Sequence, residues 1–231
     1  MLMLFPKISS LLNNFTDHHS HILPGVDDGV KKMETSLKVL ERYEQMGIAE
    51  VWCTPHIMED IPNTTEALQN RFAELCEAYH GPIKLHLAAE YMMDALFEER
   101  LEQNDLLTLG NEGNHLLVET SYFTPPMDMD AILQRIKQKG YYPVLAHPER
   151  YVYMGKDRYI ALKEKGIRFQ LNLSSLAGAY GSEAKSKARW ILKHNFYNLA
   201  GSDLHSSRNM EYWSIRAPRA LKNLLKQENG K

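Results

Sequence analysis

The sequence predicts an α/β chain whose strands close into a seven-stranded, TIM-like (β/α)7 barrel. Three observations predict it. Short apolar runs alternate with amphipathic helical stretches, acidic or histidine residues stand at the ends of most of those runs, and those residues recur at the interval of one strand-helix unit. Steady alternation of this kind implies parallel strands joined by right-handed crossovers.

The first strand ends at His19-Ser20-His21. Glu34 to Met46 places Leu37, Val39, Leu40 and Tyr43 on a helical face and stops at Gly47, a natural C-cap. Ile48 to Thr54 follows as a strand. Thr64 to Tyr79 reads as a helix, with Leu68, Phe72 and Leu75 in one stripe and Gly81-Pro82 as the stop. Ile83 to Glu90 and His115 to Thr120 read as strands, and Asp128 to Lys139 as a helix closed by Gly140. Tyr142 to His147, Ile167 to Leu173 and Phe196 to Gly201 complete the strands. The remaining helices are placed at Asp157 to Lys165, Glu183 to His194 and Tyr212 to Leu225.

Asp28, His56, Glu90, Glu119 and His147 are separated by 28, 34, 29 and 28 residues, each about one strand-helix unit. Asp203 comes 56 residues after His147, twice the interval, and the strand between them, Ile167 to Leu173, offers no obvious ligand. The recurring residues fall at the C-terminal ends of strands, where barrel active sites are built. Capping accounts for a single polar strand end but not for a series made entirely of metal-binding side chains. On an extended strand residues i and i+2 share a face, so His19 and His21 can reach one ion together, and Asp203 and His205 have the same geometry. These residues therefore point to a shared polynuclear metal site.

At 231 residues the chain suits one domain spanning 1–231. A composition of 44% hydrophobic and 24% charged residues is that of an ordered globular chain, with disorder expected only in the tail from Gln227 to Lys231. The net charge of -2 argues against a nucleic-acid binder held by phosphate contacts. No run approaches a membrane span, and Met1 to Phe15 lacks the pattern of a signal peptide. Two cysteines, Cys53 and Cys76, are too few for a disulfide framework, and the cytoplasm is the expected compartment.

Six stretches carry a family resemblance: Asp17 to Gly29 (DHHSHILPGVDDG), Thr54-Pro55-His56, Ala89-Glu90, Glu119 to Pro126 (ETSYFTPP), Ala146 to Tyr151 (AHPERY) and Gly201 to His205 (GSDLH). In these the chain resembles the PHP (polymerase and histidinol phosphatase) superfamily, specifically the bacterial tyrosine-protein phosphatases of capsule and exopolysaccharide clusters. The resemblance implies a distorted seven-stranded barrel, the PHP fold, carrying three divalent metal ions, usually manganese, with iron or zinc also compatible with the donors. It assigns His19, His21, Glu90 and Asp203 to one ion, Glu90 as a bridge with Glu119 and His147 to a second, and Asp28, His56 and His205 to the third. The choice of Asp28 over Asp27 rests on the resemblance, since Asp27-Asp28-Gly29 also makes a plausible turn.

The chemistry implied is hydrolysis of phosphotyrosine by water, without a covalent enzyme intermediate, on the tyrosine-rich C-terminal tail of a membrane-bound autokinase. Arg150 and Arg208 would hold phosphoryl oxygens. A phenolate of pKa about 10 leaves more readily than an alkoxide, so acid assistance is less demanding, with His205 one candidate. Arg150 could instead pair with a carboxylate. Tyr122, Phe123 and Pro125-Pro126 could line a pocket for an aromatic ring or simply pack. His18, His80, His86, His115 and His194 have no motif support and read as surface or structural residues.

A cysteine-dependent phosphatase needs an arginine six positions after its thiolate, and those positions hold Glu59 and Pro82. Ser202, Asp203 and His205 sit on one strand end and cannot converge as a hydrolase triad does. A small-molecule phosphoesterase of the histidinol-phosphate or nucleotide type is the alternative on the same metal framework, which does not itself choose the leaving group. Oligomeric state is not legible.

Overall fold

The structure, a computed structural model, describes residues 7–110, 112–214 and 218–228. The architecture is mixed α/β, built on a curled parallel sheet. Among the described residues the strands are β1 (Thr16–Ser20), β2 (Glu50–Cys53), β3 (His56–Ile57), β4 (Lys84–Leu87), β5 (Glu90–Met92), β6 (His115–Glu119), β7 (Tyr142–Leu145), β8 (Arg168–Asn172) and β9 (Leu199–Gly201). They pair as β1-β2-β4 and as β3-β5-β6-β7-β8-β9, every ladder parallel. The last strand returns to the first: Asp203 N–H donates to His19 O at 2.8 Å and His21 N–H to Leu204 O at 3.1 Å.

Nine short segments therefore stand where seven runs were expected. The divisions fall at Thr54-Pro55 and at Ala88-Ala89. Proline has no N–H to give a ladder, and the Thr54 N–H turns to Ser20 O at 2.8 Å. Pairing still crosses the break, because Ala88 N–H reaches Cys53 O at 2.9 Å and Glu90 N–H reaches Pro55 O at 3.1 Å.

Eight α-helices are described: α1 (Met33–Met46), α2 (Thr65–Ala78), α3 (Ala95–Gln103), α4 (Met129–Gln138), α5 (Lys156–Glu164), α6 (Leu173–Ala177), α7 (Gly181–Lys193) and α8 (Arg219–Glu228). The expected Gly47 cap is present, with φ at 78° and its N–H donating to the carbonyls of Tyr43 and Glu44. At the start of α2, Thr64 accepts from Ala67 N–H at 3.1 Å. Helix α3 escaped the sequence reading although its signals are present: Asp94 accepts from Phe97 N–H, Phe97 and Leu101 share a buried face, and Asn104 ends it at φ 58°.

The helix expected from Tyr212 to Leu225 is not continuous. A 3-10 turn covers Ser207–Ser214 and α8 starts after Pro218, which cannot sit inside a helix without losing a hydrogen bond. Residues 215–217 of that expectation lie outside the described residues, as do 1–6 of the N-terminal segment and 229–231 of the tail. Gln227 and Glu228 close α8. The described part of the N-terminal segment is anchored: Ile8, Leu12 and Phe15 are buried.

Strand alternation divides the interior. Leu116 and Val118 join the large cluster under the helices, whereas Leu117 joins Trp52, Ala88, Leu109, Val144 and Ala146 in a smaller one. Two residues beyond Leu117 on the same face stands Glu119. Gly201 is where β9 meets β1 most tightly: a Cβ there would lie 2.5 Å from His19 Cβ and 2.9 Å from His19 N. Gly201→Ala is therefore expected to destabilise the protein by about 1–3 kcal/mol, the usual range for overfilling a packed interior, and urea unfolding measures it.

Candidate metal centre

The sheet delivers its polar strand ends to one place. Glu90 is fully buried. Its Oε2 lies 3.1 Å from His19 Nε2, 3.3 Å from His21 Nε2 and 3.2 Å from His56 Nδ1, and its Oε1 lies 3.0 Å from His147 Nε2. Asp203 Oδ1 lies 3.5 Å from both His19 Nε2 and His21 Nε2, and 3.4 Å from His205 Nδ1. Glu119 Oε1 lies 3.1 Å from His56 Nδ1. At the mouth Asp28, with its side chain 66% exposed, reaches His205 Nε2 at 3.2 Å and His56 Nε2 at 3.5 Å.

Each of the nine ligand candidates thus enters one cluster. The donor atoms fall into overlapping groups: His21, Asp28, His56 and His205; His19, His147 and Asp203; His19, His21 and Glu90; and His56, Glu90 and Glu119. His19 and His21 share a group, as same-face geometry suggests. Asp203 and His205 do not, because Asp203 adopts a left-handed backbone at φ 49°, which breaks the strand alternation between them. His147 is left-handed too, at φ 30°, and this uncommon conformation turns its side chain off the alternation set by Val144 and Ala146.

The ring orientations follow from partners that sequence reasoning missed. Gln170 Oε1 lies 3.1 Å from His19 Nδ1. An amide oxygen only accepts, so Nδ1 carries the proton and Nε2 turns its lone pair inward. Asp27 Oδ2, 2.7 Å from His21 Nδ1, sets the second ring likewise. The two inward Nε2 atoms stand 3.1 Å apart. Two lone pairs at that distance repel unless positive charge lies between them. Asn172 Nδ2 and Arg150 Nη1 each donate to Asp203 Oδ2 at 2.7 Å, which leaves Oδ1 facing the imidazoles. Glu90 Oε2 and Asp203 Oδ1 are buried without a hydrogen-bond donor among the described residues.

These observations fit a cation centre. The spacings of 3.1 to 3.5 Å from His19 to His21, Glu90 and Asp203, and from His21 to Glu90 and Asp203, are those of neighbouring donors that each stand about 2 Å from a shared ion, a usual metal–nitrogen or metal–oxygen distance. The electrostatics agree. Burial opposes the His19 imidazolium, yet Glu90 and Asp203 outweigh it and its pKa rises to about 9. His56 rises to about 10 against its burial, held by the hydrogen bond to Glu119 and the charge of Glu90. Burial and the neighbouring Glu90 charge push Glu119 up. The cavity stabilises positive charge, and cations can take the place of those protons. Imidazole and carboxylate without thiolate suit manganese, iron or zinc.

At the rim, the Arg150 guanidinium lies between two rings, its Cζ 4.3 Å from the Tyr122 centroid and 4.0 Å from that of Tyr180. The carboxylate pairing weighed for Arg150 is the one found, with Asp203. Tyr122 also packs near His147, while Phe123 is 75% exposed. Arg208 is exposed on the 3-10 turn. His86 pairs with Glu50 and stacks on Trp52, His194 stacks on Trp190, and His80 is exposed. Neither these nor His18 and His115 join the donor groups.

Residues 15–226 match the family described as capsular polysaccharide synthesis, CpsB/CapC. The chain belongs to that family. It is 27% identical over 207 residues to the tyrosine-protein phosphatase YwqE of Bacillus subtilis, covering 87% of this chain and 81% of that one. To the tyrosine-protein phosphatase CpsB of Streptococcus pneumoniae it is 30% identical over 205 residues, with 82% of each chain covered. Among solved structures it superposes with a TM-score of 0.82 and 25% identity on one from the crystal structures of YwqE from Bacillus subtilis and CpsB from Streptococcus pneumoniae, described as unique metal-dependent tyrosine phosphatases. That match covers 93% of this chain and 92% of the other. In this CpsB/CapC chain, Arg150→Met is expected to lower the stability of metal-free protein by about 3 kcal/mol. Breaking a buried pair leaves an uncompensated charge, here softened because Asn172 still donates, and urea unfolding of stripped protein should show a larger loss than unfolding of metal-loaded protein.

Proposed function

We propose that this CpsB/CapC protein is a metal-dependent protein-tyrosine phosphatase, acting on the tyrosine-rich C-terminal tail of a membrane-bound autokinase that controls capsule or exopolysaccharide synthesis. The observation that carries the reading is the convergence of five imidazoles and four carboxylates beside Arg150, in a chain related to enzymes of that activity. Three divalent ions, in our reading manganese, would be held by His19, His21, Glu90 and Asp203, by Glu90, Glu119 and His147, and by Asp28, His56 and His205. The grouping of His56 with Glu90 and Glu119 makes it a candidate to contact two of them. When bound, such ions supply Lewis acidity that makes water nucleophilic near neutral pH and offsets charge on a phosphoryl group.

The chain's own residues do the rest. Stacked between Tyr122 and Tyr180, Arg150 has its Nη1 on Asp203, and the remainder of its guanidinium fork is where phosphoryl oxygens would bind. Arg208, exposed beyond the mouth, would add a second cation. His205, at the mouth beside Asp28, is the nearest imidazole to solvent in its group and is our candidate to hand a proton to the leaving phenolate. Nucleophilic cysteine chemistry is disfavoured, since burial pushes the Cys53 thiol far up.

We read the nine strand segments as seven barrel staves, β2 with β3 and β4 with β5 each forming one interrupted stave, and the chain as a single PHP domain over 1–231. Among the described residues no helix is long and apolar enough to cross a membrane. We place the protein in the cytoplasm, where an autokinase tail would be found.

The test is hydrolysis of a phosphotyrosine peptide, histidinol phosphate and AMP by stripped protein with and without added manganese. Phosphotyrosine turnover restored by the metal is expected, and preferential turnover of either small molecule would overturn the substrate. His147→Ala is expected to abolish turnover, whereas Cys53→Ser and Cys76→Ser should keep it. Loss in both cysteine variants with metal still bound would contradict the mechanism.

A further inference from the structure

Gln170 and Asp27 repeat one arrangement. In each, a single buried oxygen receives the ring N–H of one histidine and the backbone N–H of another. Gln170 Oε1 takes His19 Nδ1 at 3.1 Å and the His147 N–H at 3.2 Å. Asp27 Oδ2 takes His21 Nδ1 at 2.7 Å and the His56 N–H at 3.1 Å. The two sets do not overlap, and two of the donor groups keep the division while a third joins His19 to His21 at Glu90. His19 and His147 belong with Asp203, whereas His21 and His56 belong with Asp28 and His205.

We propose that Gln170 and Asp27 are positioning residues that divide the cation centre: both serve the ion at His19 and His21, Gln170 alone the inner one at Glu119 and His147, and Asp27 alone the outer one at Asp28, His56 and His205. The proposal rests on the metal-centre reading above and not on the identity of the substrate.

Local structure explains why each oxygen is needed. His147 is held at φ 30°, a conformation that persists only when its surroundings fix it, and Gln170 fixes its N–H. The amide itself is anchored, because Nε2 donates to Leu171 O at 2.7 Å and Gly201 packs so close that a Cβ there would sit 2.6 Å from that nitrogen. Asp27 is anchored by the loop it closes: Oδ1 accepts from Gly29 N–H at 2.9 Å, and a Cβ on Gly29 would lie 2.9 Å from the same oxygen. The two differ in charge. A carboxylate on His21 makes that ring a stronger donor than the neutral amide makes His19. The inner site, already bordered by buried Glu90 and Asp203, is served by the neutral partner, and the more exposed outer site by the charged one.

The experiment uses full-length manganese-loaded protein, with bound metal per chain measured across a graded chelator series and manganese titrated calorimetrically into stripped protein. Gln170→Met removes the acceptor at near-constant shape. Asp27→Asn leaves one oxygen where two are used. Each variant is expected to weaken by about 10–100-fold, the usual effect of losing such a partner, one step of the titration that the other variant spares. Combined with His147→Ala, Gln170→Met should add nothing further at the step of the His147 ion, whereas Asp27→Asn should add its full effect at the step it alone serves. Gln170→Glu, which keeps an acceptor, should retain the step that Gln170→Met loses. Weakening of the same steps by both variants, no step changed by more than about twofold, or equal loss in Gln170→Glu and Gln170→Met would each overturn the proposal. Because metal is counted directly, a protein that binds it as expected but spares phosphotyrosine would refute the substrate reading alone.

Discussion

The buried carboxylate of Glu90 is the constraint on which the rest of this structure depends. A carboxylate removed from water is stable only when opposite charge and hydrogen bonds replace its hydration. Glu90 is fully buried, with four imidazoles from three strands within 3.3 Å. Satisfying it brings the end of β1, the start of β3 and the residue after Ala146 beyond β7 to the start of β5. Curling of the parallel sheet and assembly of the site are therefore one event.

Positive charge is what this arrangement lacks when only protein atoms are counted. Protons on His19 and His56 meet part of the need, and Arg150 meets part of it at Asp203. Metal cations would meet it with fewer compromises, because they would satisfy several lone pairs at once and let Glu90 and Glu119 both remain ionised. The cost of the anionic cavity is thus a property of the metal-free protein, and it is turned into affinity on loading.

A layer of neutral and charged partners stands behind the candidate ligands. Gln170, Asn172 and Asp27 each choose which atom of a ligand faces inward. Two come from β8, whose run offers nothing to the donor series. Its place between β7 and β9 sets it directly behind His147 and Asp203, so a strand silent in the donor series still decides the geometry of the donors. Tyr122 and Tyr180 do the same for Arg150 from the rim, holding a flexible cation in one plane.

The sequence by itself determined the α/β alternation, most helices, and the residue types and spacing of the donor series, because hydrophobic period, glycine caps and ligand chemistry are local properties. Gly47 and the Thr64 cap were legible for that reason, and α3 could have been, from Asp94, Phe97 and Asn104. Interruption of the strands at Pro55, the break before Pro218 and the split of Asp203 from His205 depended on backbone dihedrals and pairing that periodicity does not encode. Asp27 read as half of a turn and Gln170 as an ordinary strand residue, since a hydrogen-bond acceptor acquires its role only from what stands opposite. Tertiary structure alone decided which oxygen faces which ring, because that depends on contacts between residues as far apart in the chain as His19 and Gln170, brought together by the curl of the sheet.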